Sequence, residues 1–116
     1  MMYSDLDEAR AQHAALKLIV ERHAGAAADY RALRRVLELC RRASEAVDDR
    51  YCRDKLRLVE DFSAEMFSHG EHRAQFLRQQ VLNALELFSS RLYSLEILRR
   101  TAARSSVSSI APLRTA

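Results

Sequence analysis

Glycine and proline are nearly missing from this chain. Two glycines (Gly25 and Gly70) and one proline (Pro112) occur in 116 residues. Gly-rich phosphate loops, GxGxxG turns and GxSxG nucleophile elbows each need glycines within a few positions of one another. Two glycines so far apart exclude all three. So little loop-forming material also leaves little from which to build the rim of an active site, and the expectation is a protein that is not an enzyme. No period-two run of β-branched residues bounded by turn residues occurs, which argues against strands. No apolar run approaches the roughly 18 residues of a membrane-spanning helix. The first ten residues, MMYSDLDEAR, are acidic and lack the charged-then-apolar layout of a signal peptide. A cytoplasmic protein that does not enter a membrane is the expectation.

Lysine is scarce as well. Of 19 basic residues 17 are Arg and 2 are Lys, against 16 acidic residues. An Arg bias together with abundant Ala fits a GC-rich bacterial genome. It also fits recognition of carboxylates or phosphates, which the planar guanidinium grips better than an ammonium does. Many of these arginines have acidic neighbours at helical spacing, so a salt-bridged, solvated face accounts for most of them.

What is abundant is helical periodicity. From His72 to Arg104, Leu77, Val81, Ala84, Phe88, Leu95, Leu98 and Ala102 recur at steps of three and four, with Arg91 the one polar member of the row. Leu85 and Leu92 widen this seam. Such a helix is roughly 50 Å long at 1.5 Å per residue. The reading starts it with a capping box, Ser68 to Glu71, or with Gly70 as a left-handed stop just before it.

Upstream the pattern gives shorter helices. One runs from about Asp5 to Ala24, capped by Ser4, with Leu6, Ala9, His13, Leu16, Val20 and His23 on its seam. A second runs from about Asp29 to Val47, with Tyr30, Leu33, Val36, Leu37, Cys40, Ala43 and Val47 as its inner face. A third runs from about Asp49 to Phe67, capped by Asp48 or Asp49, with Cys52, Leu56, Val59, Phe62 and Met66 inward. Neither Gly nor Pro separates the second from the third, so one bent helix from Asp29 to Phe67 is the alternative. The fold class is therefore all-α: an antiparallel bundle of three to four helices with a long C-terminal helix. Residues 1–104 make one domain, and residues 105–116 (SSVSSIAPLRTA) read as a flexible Ser-rich tail.

Chemistry-bearing constellations are few. His13 and His23 are ten residues apart, roughly 15 Å along a helix, too far to share a metal. Glu65, His69 and His72 share a face only if the helix is unbroken at Gly70, so no metal site or other cofactor is expected. The two cysteines, Cys40 and Cys52, lie on apolar faces. Their stagger in a hairpin, roughly 6 Å along the axis plus the distance between helices, exceeds the reach of a disulfide.

Two functional readings remain. A long helix beside shorter ones leaves part of its seam uncovered, which calls for a partner. The expectation is a protein–protein interaction module, an adaptor, chaperone or regulator, that binds through Phe88, Leu92, Leu95 and Leu98 as a homodimer or in a hetero-complex. The alternative is a nucleic-acid-binding regulator that tracks phosphates with Arg31, Arg34, Arg35, Arg41 and Arg42. Against the alternative, Glu38 and Glu45 interleave these arginines and no aromatic residues alternate with them. A second basic stretch, Arg99, Arg100, Arg104 and Arg114, follows the last acidic residue, Glu96.

Overall fold

The first three helices each start on an aspartate. Asp5 Oδ1 accepts the backbone N–H of Glu8 at 2.9 Å, Asp29 Oδ1 that of Ala32 at 3.0 Å, and Asp49 Oδ2 that of Cys52 at 3.0 Å. Each carboxylate satisfies a donor that the helix leaves unpaired and sits at the positive end of the helix dipole, which stabilises each start by about 1 kcal/mol. The computed structural model describes residues 5–23, 27–68 and 73–115, with side chains described through Arg104. Its elements are α1 (Leu6–Arg22), α2 (Tyr30–Ala46), α3 (Arg50–Ser68) and α4 (Ala74–Thr115), and no strand occurs among the described residues. Asp5, not Ser4, caps α1. The Ser-rich stretch 105–116 that reads as a flexible tail lies outside the residues whose side chains are described.

Helices α2 and α3 are separate, although neither Gly nor Pro marks the turn. Val47 takes an extended conformation (φ −127°, ψ 114°) and is buried, Asp48 follows, and Asp49 caps the next helix. A buried β-branched residue and a side-chain cap do here what glycine does in most helix stops. The start of α4 differs from the expectation. Ser68 is the last residue of α3 and α4 begins at Ala74, so Ser68 does not cap it, and Glu71 lies outside the described residues. The chain enters α4 through Arg73, whose φ of 68° is left-handed. That conformation costs a residue with a Cβ roughly 1–2 kcal/mol. Two contacts hold it: the Arg73 guanidinium donates to Glu65 at 3.1 Å and lies 5.3 Å from the centre of the Phe76 ring.

Consecutive helices run antiparallel and the fourth closes the ring. Helix α1 packs on α2, α2 on α3, α3 on α4 and α4 back on α1, while the diagonal pairs stay apart. Two backbone bonds lock helix ends together: Asp5 N–H donates to the carbonyl of Ala46 and Asp29 N–H to that of Phe67, both at 2.7 Å. The core runs through the centre of this ring, with Leu16, Val36, Leu56, Val59, Val81 and Phe88 all at 1% exposure or less. At roughly 2 kcal/mol for a buried aliphatic or aromatic side chain, this burial is the main force holding the bundle together.

Within that core several seam positions shift from the expectation. On α2, Leu39 is buried, whereas Leu37 and Tyr30 are exposed at 39% and 61%. On α1, Gln12 is buried and donates to Glu8 Oε1 at 2.7 Å, while His13 and His23 lie at the boundary. On α3, Ser63 takes an inner position and Phe62 is only partly buried.

The helix lengths do not match. Helices α1 and α2 have 17 residues each, α3 has 19 and α4 has 42. At 1.5 Å per residue α4 is about 63 Å long beside neighbours of about 25–29 Å. The molecule accordingly measures 69 × 22 × 19 Å, with a radius of gyration of 18.2 Å. A compact chain of this length would have about 13 Å. The excess is the part of α4 that projects beyond the bundle.

Candidate functional site

The seam of α4 changes character partway along. Ala74, Leu77, Val81, Ala84, Leu85, Phe88 and Leu92 are buried by α1 and α3, and Leu92 is the last buried residue among those described. Leu95 is partly buried against the core. Past it every described side chain from Ile97 to Arg104 is exposed, including Ile97 at 43% and Leu98 at 56%. The four residues expected to meet a partner therefore divide. Phe88 and Leu92, at 0% and 1% exposure, lie in the chain's own core. Leu95 sits at the rim, and Leu98 lies on the projecting part, hereafter the arm.

The place where the arm leaves the bundle is fixed by charge. Asp49, the cap of α3, takes a two-pronged contact from Arg91 on α4: Nε to Oδ2 at 3.1 Å and Nη2 to Oδ1 at 2.9 Å. The paired guanidinium holds the Asp49 carboxyl down to about 2, with the N–H of Cys52 assisting against the opposing effect of burial. On the other side Arg10 of α1 reaches Glu96 at 3.6 Å, and Glu96 also takes Arg99 at 2.9 Å and Arg100 at 3.2 Å. Arg91 was visible in the sequence as the polar member of an apolar row. Its partner was not, because that pairing depends on which residue of α3 stands level with it.

Carboxylates and guanidiniums pair off at this end of the bundle: Asp7 with Arg10 at 3.1 Å, Glu45 with Arg41 at 3.0 Å and Asp48 with Arg53 at 2.9 Å. The start of α1 brings Asp5, Asp7 and Glu8, and the turn from α2 to α3 brings Glu45, Asp48 and Asp49. An open cleft of about 330 Å³ lies here between Asp5, Glu8, Arg42, Glu45 and Ala46, with three carboxylates to one guanidinium. A second cleft, on the seam between α3 and α4, is lined by Tyr51, Leu87, Ser90, Arg91 and Ser94. Lys55 Nζ lies 5.0 Å from the centre of the Tyr51 ring. Tyr51, Leu87 and Tyr93 are all exposed. Leu87 and Tyr93 fall off the three-and-four row that defines a core face, so spacing alone does not single them out.

The arginines of α2 form the salt-bridged face that their spacing suggested. Arg35 and Arg42 both reach Glu38, at 3.5 and 3.2 Å, and Arg41 meets Glu45 at 3.0 Å. Arg31 and Arg34 are exposed and make no ion pair among the described residues. Three of the five are thus ion-paired along α2.

Titratable residues elsewhere are set into the core. Cys40 and Cys52 are buried free thiols. Burial, reinforced by Glu60, pushes the Cys40 thiol far up, and burial with Asp49 pushes that of Cys52 to about 12. Both stay protonated and inert at neutral pH. His13 packs 6.2 Å from Phe88 between ring centres and His23 4.5 Å from Phe67. Burial lowers the pKa of each, with Lys17 adding to it at His13 and Arg78 at His23. The Arg78 guanidinium also donates to the His23 carbonyl, tying α4 to the end of α1. His69 and His72 lie outside the described residues, and no cluster of three metal-ligating side chains occurs among those described. No described helix is long and apolar enough to cross a membrane.

Comparison with known proteins finds no family model that matches the chain, and no curated protein or solved structure with significant similarity to it.

Proposed function

We propose that this protein is a non-enzymatic interaction module of the bacterial cytoplasm, an adaptor, chaperone or regulator, that docks through the arm of α4. One observation carries the reading. Helix α4 continues to Thr115, yet every described side chain from Ile97 to Arg104 is exposed. A helix that leaves Ile97 and Leu98 in water gains from laying that face on an apolar partner surface, which is the helix-in-groove mode of recognition. Arg99 and Arg100 are held by Glu96 beside those residues, and Arg104, with no ion pair among the described residues, is the cation left to match an acidic group on what docks there.

The test is a pull-down of the full-length chain under native conditions, repeated with Leu98→Asp. The reading expects a near-stoichiometric protein that survives nuclease and moderate salt and is lost with Leu98→Asp. Retention of that partner by the variant refutes the placement on the arm. Nucleic acid in the eluate, with steep salt dependence weakened by Arg34→Ala, favours the alternative of a nucleic-acid-binding regulator using the α2 face. The ion pairs from Arg35, Arg41 and Arg42 to Glu38 and Glu45 weigh against that alternative, since they leave only Arg31 and Arg34 with undivided charge.

A further inference from the structure

The four seams of the ring are not held alike. Backbone bonds tie α1 to α2, from Asp5 to Ala46, and α2 to α3, from Asp29 to Phe67. Two ion pairs, Arg91 with Asp49 and Arg73 with Glu65, tie α3 to α4 at 2.9 and 3.1 Å. The closing seam, between α1 and α4, has the longer Arg10–Glu96 contact at 3.6 Å and the bond from the Arg78 guanidinium to the His23 carbonyl. Glu96 also divides its charge with Arg99 and Arg100. Two histidines of α1 stand on this seam, ten residues or about 15 Å apart. His13 lies against Phe88 of α4, and His23 lies against Phe67 where α1, α3 and α4 meet.

Each ring has a cation beside it. Among the described residues the charged groups facing His13 are Lys17 and Glu21 of α1 and Glu86 of α4. Those facing His23 are Arg78 of α4 and Asp29 at the start of α2, while Phe67 of α3 is uncharged. Burial, aided by Lys17 and Arg78, outweighs Glu86 and Asp29, and both rings are held below the ordinary 6.5. At His23 the geometry sharpens this. Its Nε2 and the Nε of Arg78 are buried with no hydrogen-bond partner among the described residues. A proton on that imidazole makes a second cation beside a guanidinium, and its N–H has no acceptor placed for it.

We infer that the α1–α4 seam is a proton-operated latch, shut while His13 and His23 are neutral and loosened when mild acid charges them. Helix α1 then parts from α4 while α2, α3 and α4 stay together. The order follows from the groups involved. A histidine whose pKa falls on folding binds its proton more readily in the open chain. Its contribution is complete above about pH 6.5 and is lost as the pH drops from there through the folded value. The α3–α4 clamp outlasts it, because Arg91 holds the Asp49 carboxyl down to about 2. Opening uncovers Leu16 and Val20 of α1, which are at 0% exposure when the seam is shut. The latch does not depend on what the arm of α4 binds.

Hydrogen–deuterium exchange of the full chain, read by mass spectrometry at pH 7.5 and 5.5 and corrected for the intrinsic rate, tests this on wild type, His13→Gln, His23→Gln and the double variant. One unit below 6.5 the ceiling is about tenfold in opening per histidine. In the wild type, opening of α1 should rise by about threefold or more on acidification while α2 and α3 change little. Each single variant should lose part of that rise and the double variant all of it. Carboxylates that titrate near this window are common to all four proteins. Nuclear magnetic resonance titration of the wild-type ring protons, assigned by their loss in the single variants, should place both histidines below 6.5. Titration of either ring at or above 6.5, the same acid response in wild type and double variant, or opening of α2 and α3 in step with α1 overturns the inference. Should the double variant lose the wild-type circular dichroism at pH 7.5, the single variants and the wild-type titration decide.

Discussion

Asp49→Asn is the substitution that best isolates one interaction in this bundle. The amide keeps an oxygen to accept the N–H of Cys52, so the cap on α3 persists while the charge facing Arg91 is removed. The folded carboxyl sits at about 2 against 3.8 for the free group. At about 1.4 kcal/mol per unit that difference corresponds to about 2 kcal/mol. The Asp49 side chain is 14% exposed but that of Arg91 is 34% exposed, and solvent screening trims the figure to about 1–2 kcal/mol. Because folding lowers this pKa, its contribution is complete above about pH 4 and is lost as the pH falls towards about 2. Urea unfolding followed by circular dichroism at pH 7 checks the magnitude. The same titration at several values between pH 5 and 2 checks the sign: the wild type loses more stability across that window than Asp49→Asn does. Arg91→Met should cost a similar amount, and the double variant no more than either alone. A loss under about 0.5 kcal/mol at pH 7, or identical acid profiles for the two proteins, would show that the clamp is exposed and inconsequential.

Other expectations are separable from this one. Phe88→Ala removes a fully buried ring and should cost about 3–5 kcal/mol by urea unfolding, while Leu98→Asp, on the arm, removes no core contact and should cost far less. Equal effects would mean that the boundary between core and arm is misplaced. Ser63 buries a hydroxyl with no hydrogen-bond partner among the described residues, so Ser63→Ala should be neutral or stabilising by up to about 1 kcal/mol; clear destabilisation would reveal a partner for that oxygen. Cys40 and Cys52 should resist a thiol reagent at pH 8 in the native protein and react fully in denaturant, since both are buried with raised pKa values. Fast labelling of the native chain would contradict that burial.

The periodicity carried the helices and most of the core but not the level at which they meet. Leu37 and Leu39 show the limit on a single helix. Relative to Val36, at about 100° per residue, Leu39 lies about 60° to one side and Leu37 about 100° to the other. Both fit a broad stripe in the sequence, and only the position of α3 and α1 decides between them. The seam of α4 shows the limit between helices. The mismatch in length was legible, because 17- and 19-residue helices cannot cover a much longer one. Which end projects was not, because apolar residues look the same whether their own chain or another covers them. The expected docking set consequently began with Phe88 and Leu92, which α1 and α3 bury. The cap at Asp49 was readable, and Asp29 as the start of α2, whereas the left-handed entry at Arg73 was hidden by Gly70, a better candidate for the same conformation.

The ring order of the helices also sets how the chain comes into being on the ribosome. Each helix packs on its predecessor, so the first three can pair as they emerge, by contacts local in sequence. Helix α4 alone joins a distant neighbour, α1. Until residues 74–96 have been made, roughly 1–5 s of synthesis at 5–20 residues per second, the inner flanks of α1 and α3 lack their cover. Part of the surface buried in the finished bundle, which includes Leu16, Val20, Val59 and Met66 at 0% exposure, stays open to water until then. The same helix that covers α1 and α3 also carries the arm, so sealing of the core and presentation of the arm are one event.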